Sequence, residues 1–413
     1  MQKIPPSTSR GRILTPLGIG IALSLLGDQT LYVVLADPNI AAQAGISSAM
    51  VGIVLGINRL TRLFSNSPAG FLYDRFNRRT LMILSLALGS LSTLFYALAE
   101  GATLLLIGRV LWGIAWSGIW IGANSIALDI SSDDNRGIIS GRLQMWFFLG
   151  AMISSLAAGF FTDFLGYHGG LRLSAGLTFL GMLIWLFFLP ETRITIFASP
   201  SAHPTKPIKS VFPWRTTLAA ALPLFLLRFV VAGVLNATTI LWLSQFFETG
   251  FSLKGFFLPL ATLTGIFSAL RVLLSMISAP FAGSLSDRFQ HRWWVMTLAH
   301  FASAAGLWYM AQPSLLPAVG GALLVTISAG GIQALVPAII GDNIPNNQKS
   351  RALSTTFTIG DLGSALGPAA GLALIPLIGI QQCYQICALL YALIFIFAFW
   401  QALGEKSNPS LLY

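Results

Sequence analysis

Seven ionisable side chains stand inside long apolar stretches of this sequence, where each is costly unless it has a partner, water or a task. Two are acids: Asp28, in LLGDQTLYVV, and Asp361. Five are arginines: Arg59 and Arg62, in GINRLTRLF, with Arg109, Arg228 and Arg271. A carboxylate in such a place can take up and release a proton, and a guanidinium grips a carboxylate or phosphate with two parallel hydrogen bonds. These types suit proton exchange and charge recognition. Asp28 can pair with Arg59 or Arg109, and Asp361 with Arg271 or Arg228. Arg62, nearer a helix end, can instead snorkel toward the boundary. The surplus of arginines suits an anionic or zwitterionic ligand. Candidates to line a shared cavity with them are Gln29, Tyr32, Asn58, Asn124, Gln144, Trp146, Asn236, Trp242, Gln333 and Thr358. Apolar walls with a few polar groups are the usual make-up of a small-ligand pocket.

No reactive constellation competes with this set. The four histidines, His168, His203, His291 and His300, are scattered without ligand spacing. Cys383 and Cys387 lie one helical turn apart and read as buried small apolar residues. There is no G-x4-GK-[ST] phosphate loop, so ATP is not a direct energy source. The expectation is no enzyme, no metal and no cofactor.

The elements that hold these charges are membrane helices. Of 413 residues 55% are hydrophobic and 9% charged, and mean hydropathy is +0.76. A soluble domain carries roughly 25% charged residues. The apolar runs are near-continuous, which excludes the alternating pattern of a membrane β-barrel. Helices are predicted at 13–36, 47–68, 80–99, 102–126, 140–164 and 170–190, then at 215–246, 256–283, 293–312, 315–341, 352–378 and 381–404. The first run is too long for a signal-peptide core and reads as a retained helix. The predicted division is a bundle over 1–190, a soluble linker over 191–214 rich in Pro, Ser and basic residues, and a second bundle over 215–413.

Basic residues set the orientation. Of the 24 Lys and Arg, only Arg172 and Lys254 fall on one side, while those outside the spans otherwise gather on the other. The positive-inside rule puts both termini and the linker in the cytoplasm. The net charge of +10 is thus topological, and nucleic acid is not an expected partner. A lipid bilayer is.

A repeat runs through the chain. GFLYDRFNRR begins at Gly70, and GSLSDRFQHR begins at Gly283, 213 positions later. At that offset Asp74 falls on Asp287, Arg75 on Arg288, Arg79 on Arg292, Asp129 on Asp342 and Gly150 on Gly363. Parallel six-helix repeats about an axis along the membrane normal follow. Asp74 and Asp287 precede a helix start, where free N–H groups favour a carboxylate. Gly70 and Gly283 suit places where helices approach closely.

On these residues the chain resembles the major facilitator superfamily over essentially its whole length, and within it the drug:proton antiporter group. The carrier of the resemblance is G-x-L-x-D-R-x-x-x-R: Gly70, Leu72, Asp74, Arg75 and Arg79. The stretch GRVLWGIAWSGIWIG resembles the family's R-x-x-Q-G pattern at Arg109 and Gly113, with Trp112 where Gln is usual. The fifth-helix exporter pattern keeps Gly141 and Gly150 but has Ser154 and Ser155 in place of Gly-Pro. The eleventh helix carries it intact at Gly363, Gly367, Pro368 and Gly371.

The resemblance implies an all-α membrane protein of twelve helices in two pseudo-symmetric six-helix bundles, which expose a central site alternately to each side. It implies a conformational gate of Gly70, Asp74, Arg75, Arg79, Gly283, Asp287, Arg288, Arg292 and the bend at Pro368. It also implies a proton-coupled antiporter that exports small amphipathic compounds from a bacterial-type inner membrane, acting as a monomer. Uptake or exchange of a small organic anion is the alternative, on the arginine surplus.

Overall fold

Apolar runs in a medium without water must satisfy their own backbone groups, and they do so here as helices. The computed structural model describes residues 7–131, 135–192, 212–253, 255–289, 291–345 and 348–406. Lys3, Arg193, His203, Lys206, Lys209 and Lys254 lie outside the described residues, as does most of the expected linker.

The first expected span is two helices, α1 (Ser7–Ser24) and α2 (Leu26–Val34). The break at Leu25 follows Ser24, whose hydroxyl donates to the Ile21 carbonyl at 2.6 Å, a local bond that bends helices. The short α3 (Pro38–Gln43) is capped by Asp37, which accepts from the Asn39 and Ile40 N–H groups. Then come α4 (Ser48–Arg75), α5 (Arg78–Ala97), α6 (Ala102–Asp129) and α7 (Arg136–Phe188). Gly166 divides α7 into two arms at φ 73°, a backbone angle that favours glycine.

The expected span 215–246 is α8 (Trp214–Leu227), a π-helix, π1 (Arg228–Leu235), and α9 (Asn236–Phe247). A hairpin of β1 (Gly250–Leu253) and β2 (Phe256–Pro259) follows, pairing Gly250 with Pro259. A helix from 256 was expected; the residues to 259 are a strand instead. Proline disfavours helical backbone in the residue before it, so the helix begins only after Pro259. It is α10 (Leu260–Phe289), followed by α11 (Arg292–Met310), α12 (Leu315–Asn343), α13 (Lys349–Ile378) and α14 (Ile380–Lys406).

Among the described residues nine stretches are long and apolar enough to cross a membrane, and one of them, Ile138–Phe188, turns at Gly166. With α4 and α11 alongside, this fits twelve crossings. Helices α1, α2 and α4–α7 pack on one another, and α8, π1 and α9 pack with α10–α14. The outside is apolar: Leu316 is 85% and Phe187 72% exposed, a surface suited to lipid rather than water. Trp214 and Trp400 at one end, with Trp308 and Tyr309 at the other, are exposed where membrane interfaces favour aromatic rings.

The two ends differ. The hairpin end gathers α3, the β-hairpin and the turn at Gly166; there the His168 ring nitrogens stand 3.0 and 3.2 Å from the carbonyls of Ala97 and Gln43. The loop end carries the two repeated charged loops.

Candidate functional site

The two main helix crossings between the halves are α4 on α13 and the first arm of α7 on α10, and α2 also touches α9 and α10. Both main crossings are tight near the hairpin end. A Cβ on Gly52 would lie 2.6 Å from the Ala369 Cα, and one on Gly56 would collide with the Ala365 carbonyl. Gly159 abuts Ala261 and Thr262, and Gly265 abuts the Ser155 carbonyl. These crossings obey the repeat: Gly52 matches Gly265, and Ser155 matches Pro368, whose carbonyl faces Gly52. Asp163 adds a polar tie, accepting from the Thr262 N–H and hydroxyl, each at 2.6 Å.

At the loop end the halves part. Cβ atoms at Gly70 and Gly283 would meet nothing within 4 Å. In this conformer the close approach is instead at Gly52, Gly56, Gly159 and Gly265. The loop charges pair inside their own half. Arg78 reaches Asp129, 3.0 Å from Nη2 to Oδ1, and Arg292 reaches Asp342 at 2.9 Å and also Asp287. Glu191 accepts from the N–H groups of Arg78 and Arg79 at the start of α5. Arg79 also donates to the Leu186 carbonyl, Arg75 stacks 3.9 Å over the Phe71 ring, and Asp74 and Arg288 are exposed.

The buried charges form two groups between these ends. Asp28 on α2 pairs with Arg109 on α6, and both are buried. Arg109 is held further by the carbonyls of Val54 at 2.8 Å and Leu55 at 3.0 Å. Asn58 donates to Asp28 at 3.3 Å, and the Tyr32 hydroxyl donates to Leu55. Gly113, one turn beyond Arg109, lets α6 approach: its Cβ would lie 2.7 Å from the Asn58 carbonyl. Of the two partners proposed for Asp28, the structure selects Arg109.

The second group crosses the seam. Asp361 on α13 pairs with Arg228 at the start of π1 and with Arg62 on α4, the latter at 3.3 Å. The α13 glycines bring π1 close: Gly363 meets the Phe225 carbonyl, Gly367 packs against Phe229 and Gly233, and Gly371 against Val234. Arg62 therefore does not snorkel to the boundary; it spans the two halves. Arg271 does not pair with Asp361 either. It hydrogen-bonds the Thr239 hydroxyl at 3.2 Å within its own half. Arg59 lies between the groups, and its Nε and that of Arg62 are buried without a hydrogen-bond partner.

The cavity candidates divide. Asn236, Gln333 and Thr358 are exposed, and Gln144 is half-buried. Trp242 is not a lining residue: it is buried and donates to the Met310 carbonyl at 3.1 Å. Tyr32 and Asn58 are buried in the Asp28 group. Asn124 bonds the Trp120 carbonyl of its own helix, Trp146 packs over Gly18, and Gln29 accepts from Ser155 at 3.4 Å. Pro368 is buried at the α4 crossing. Cys383 and Cys387 are free and buried, and no group of metal ligands occurs among the described residues. Asp163 escaped the sequence reading because it sits at the expected end of a span, where a lone acid has no signal beyond solvation.

The comparisons agree with this geometry. The Major Facilitator Superfamily profile matches residues 17–278 and 261–411. Inner membrane transport protein YajR of Escherichia coli K12 is 25% identical over 358 residues, covering 86% of this chain and 75% of that protein. Multidrug resistance protein MdtG of Proteus mirabilis is 26% identical over 325 residues, 76% of each. The crystal structure of a bacterial homologue of the human lysosomal transporter Spinster, inward-facing and unoccupied, superposes with a TM-score of 0.76 at 18% identity, covering 96% of this chain and 98% of that one. Two like-oriented bundles, joined by crossings that repeat at one sequence offset and matched by the profile from end to end, make this chain a multi-pass membrane transporter of the Major Facilitator Superfamily.

Proposed function

We propose that the protein is a proton-coupled secondary transporter that exports small amphipathic compounds by alternating access. The observation that carries it is the unequal seam: the halves are pressed together at one end and parted at the other, with a buried charge cluster between. A rocking motion that opens Gly52–Ala369 and Gly159–Ala261 while closing the Gly70 and Gly283 loops turns the same site to the other side. The loop end carries the basic excess, so it faces the cytoplasm by the positive-inside rule and this conformer faces inward. The gate role of Asp74, Arg75, Arg79, Asp287, Arg288 and Arg292 then belongs to the opposite, outward-facing state.

Asp28 is the proposed proton site. In low dielectric a carboxylate and a guanidinium hold each other in the charged form, and protonation of the acid frees the arginine. Freed Arg109 would leave the Val54 and Leu55 carbonyls and loosen α6 from α4. Relatives named multidrug resistance proteins support export. The second reading, uptake or exchange of an organic anion, is favoured by the arginine surplus at the seam.

The test is transport in proteoliposomes with an imposed pH gradient. Asp28→Asn is expected to abolish gradient-driven accumulation of ethidium or of an organic anion while the purified protein stays monodisperse. Unchanged rate and unchanged pH dependence would overturn the assignment.

A further inference from the structure

The superfamily scaffold repeats through the two halves, but the charges at the seam do not. At the offset that maps Gly52 onto Gly265, Arg62 falls on Ser275, Arg59 on Val272 and Asp361 on Phe148. Arg228 corresponds to Thr15. The two crossings therefore need no buried ion pair to pack, since the α7–α10 crossing is tied by Asp163 and Thr262 without one. Buried ions that the scaffold does not require, and that cost desolvation, are retained for another reason.

Arg62 and Arg228 both pair with the acid Asp361, and Arg59, hydrogen-bonded to Tyr32, stands within electrostatic reach of Asp28 and Asp361. Asp28 adds no free negative charge, because Arg109 neutralises it. Arg59 and Arg62 each keep a buried Nε with no hydrogen-bond partner. A buried N–H donor left open beside a cationic cluster is a place for an oxyanion to accept. The side chains of Arg62 and Arg228 are 11% and 19% exposed, so solvent reaches the cluster.

We propose that Arg59, Arg62 and Arg228 form the binding site for an oxyanion group of the substrate, and that Asp361 is its built-in competitor. This rests on the second transport reading, uptake or exchange of an organic anion, and names the charge class of the cargo. In the structure the Asp361 carboxylate occupies Arg62 and Arg228 as a substrate carboxylate, sulfonate or phosphate would. When the anion enters, it takes over both guanidiniums, and the displaced Asp361 accepts one proton from solvent. The charge of the cluster is then unchanged, and anion and proton bind together. The charged groups in contact with Asp361 are Arg62 from α4 and Arg228 from π1, with Arg59 from α4 at longer electrostatic range. Because Arg62–Asp361 is an ionic link between halves, anion binding also releases that link.

The test measures binding by calorimetry in phosphatidylcholine nanodiscs, where lipid carries no net charge. The probes are 1-naphthalenesulfonate, which stays anionic across the range, and 1-naphthylmethylammonium, which shares its aromatic body. The wild type is expected to bind the sulfonate, more tightly at acidic than at alkaline pH, and to reject the ammonium. Arg228→Gln should weaken sulfonate binding roughly tenfold or more. Asp361→Asn should bind it tightly with no pH dependence. Should that variant not fold, the charge-balanced pair Arg62→Gln with Asp361→Asn serves, with the same flat profile expected.

Equal or better binding of the ammonium overturns the proposal. So does an Asp361→Asn variant, or its charge-balanced substitute, that keeps the wild-type pH dependence. If the binding pattern holds but vesicles show no gradient-driven flux, the transport reading falls and the anion site stands. If flux responds to Asp28→Asn while no anion binds, the reverse is true.

Discussion

Asp28 and Asp361 are both acids in apolar helices, yet their surroundings assign them different work. Asp28 is held in one half by Arg109 and Asn58, and Arg109 is held in turn by the α4 carbonyls of Val54 and Leu55. Asp361 is shared between halves. Removing one partner of a buried pair leaves an uncompensated charge and costs about 3–5 kcal/mol. Arg109→Leu is accordingly expected to lower the melting temperature of the detergent-solubilised protein sharply, and the double variant Asp28→Leu with Arg109→Leu to recover most of the loss. A thermal-unfolding comparison of the two checks this, and equal melting points would sink it. Trp242 shows how a residue type misleads: its ring suggests a ligand wall, but its N–H is spent on Met310 and its surface on the core.

At the scale of the element, small residues decide where the halves meet. Gly52 and Gly56 let α4 lie on the backbone of α13, and Gly159 and Gly265 do the same for α7 and α10. Gly56→Leu would place a side chain where the Ala365 carbonyl now sits. The closed hairpin end cannot form with that bulk, so the variant is expected to favour the opposite conformer. Cysteines placed at exposed hairpin-end positions should then react faster with a membrane-impermeant maleimide than in the parent; an unchanged rate would refute the argument. Gly70→Leu has open space in this conformer and should leave the hairpin-end rate lower or unchanged, because it hinders only closure at the loop end.

The whole molecule is a pair of bundles whose contact is unequal at its two ends. Asp163 bonding Thr262 is a polar fastening at the closed end, in a place that the repeat maps to Pro376 and so leaves without a partner in the other crossing. Asp163→Ala is expected to shift the population toward the conformer open at the hairpin end, by a factor of roughly 5–10 for the loss of two hydrogen bonds near a boundary. Spin labels across the hairpin end, read by pulsed electron resonance in nanodiscs, would show a longer distance gaining weight. A distribution identical to the parent's would remove Asp163 from the gate.

Length and polarity of the apolar runs were enough to read the helices, their alternation and the two-fold repeat, because a membrane leaves the backbone one solution and the pattern is local. The resemblance at Gly70–Arg79 already pointed to the superfamily. Buried charges announced themselves for the same reason: an ionisable residue inside an apolar run is visible from the run itself. Their partners are not. Asp28 meets Arg109, and Asp361 meets Arg228, one of its two expected partners, together with the unexpected Arg62 and not Arg271, through the crossing of helices far apart in sequence and through the π-turn that opens at Arg228. The hairpin at 250–259, the breaks at Leu25 and Gly166, and the end at which the halves close likewise emerge only when helices pack. A side chain's direction at a crossing is set by its neighbour's backbone, and no run of residues carries that information alone.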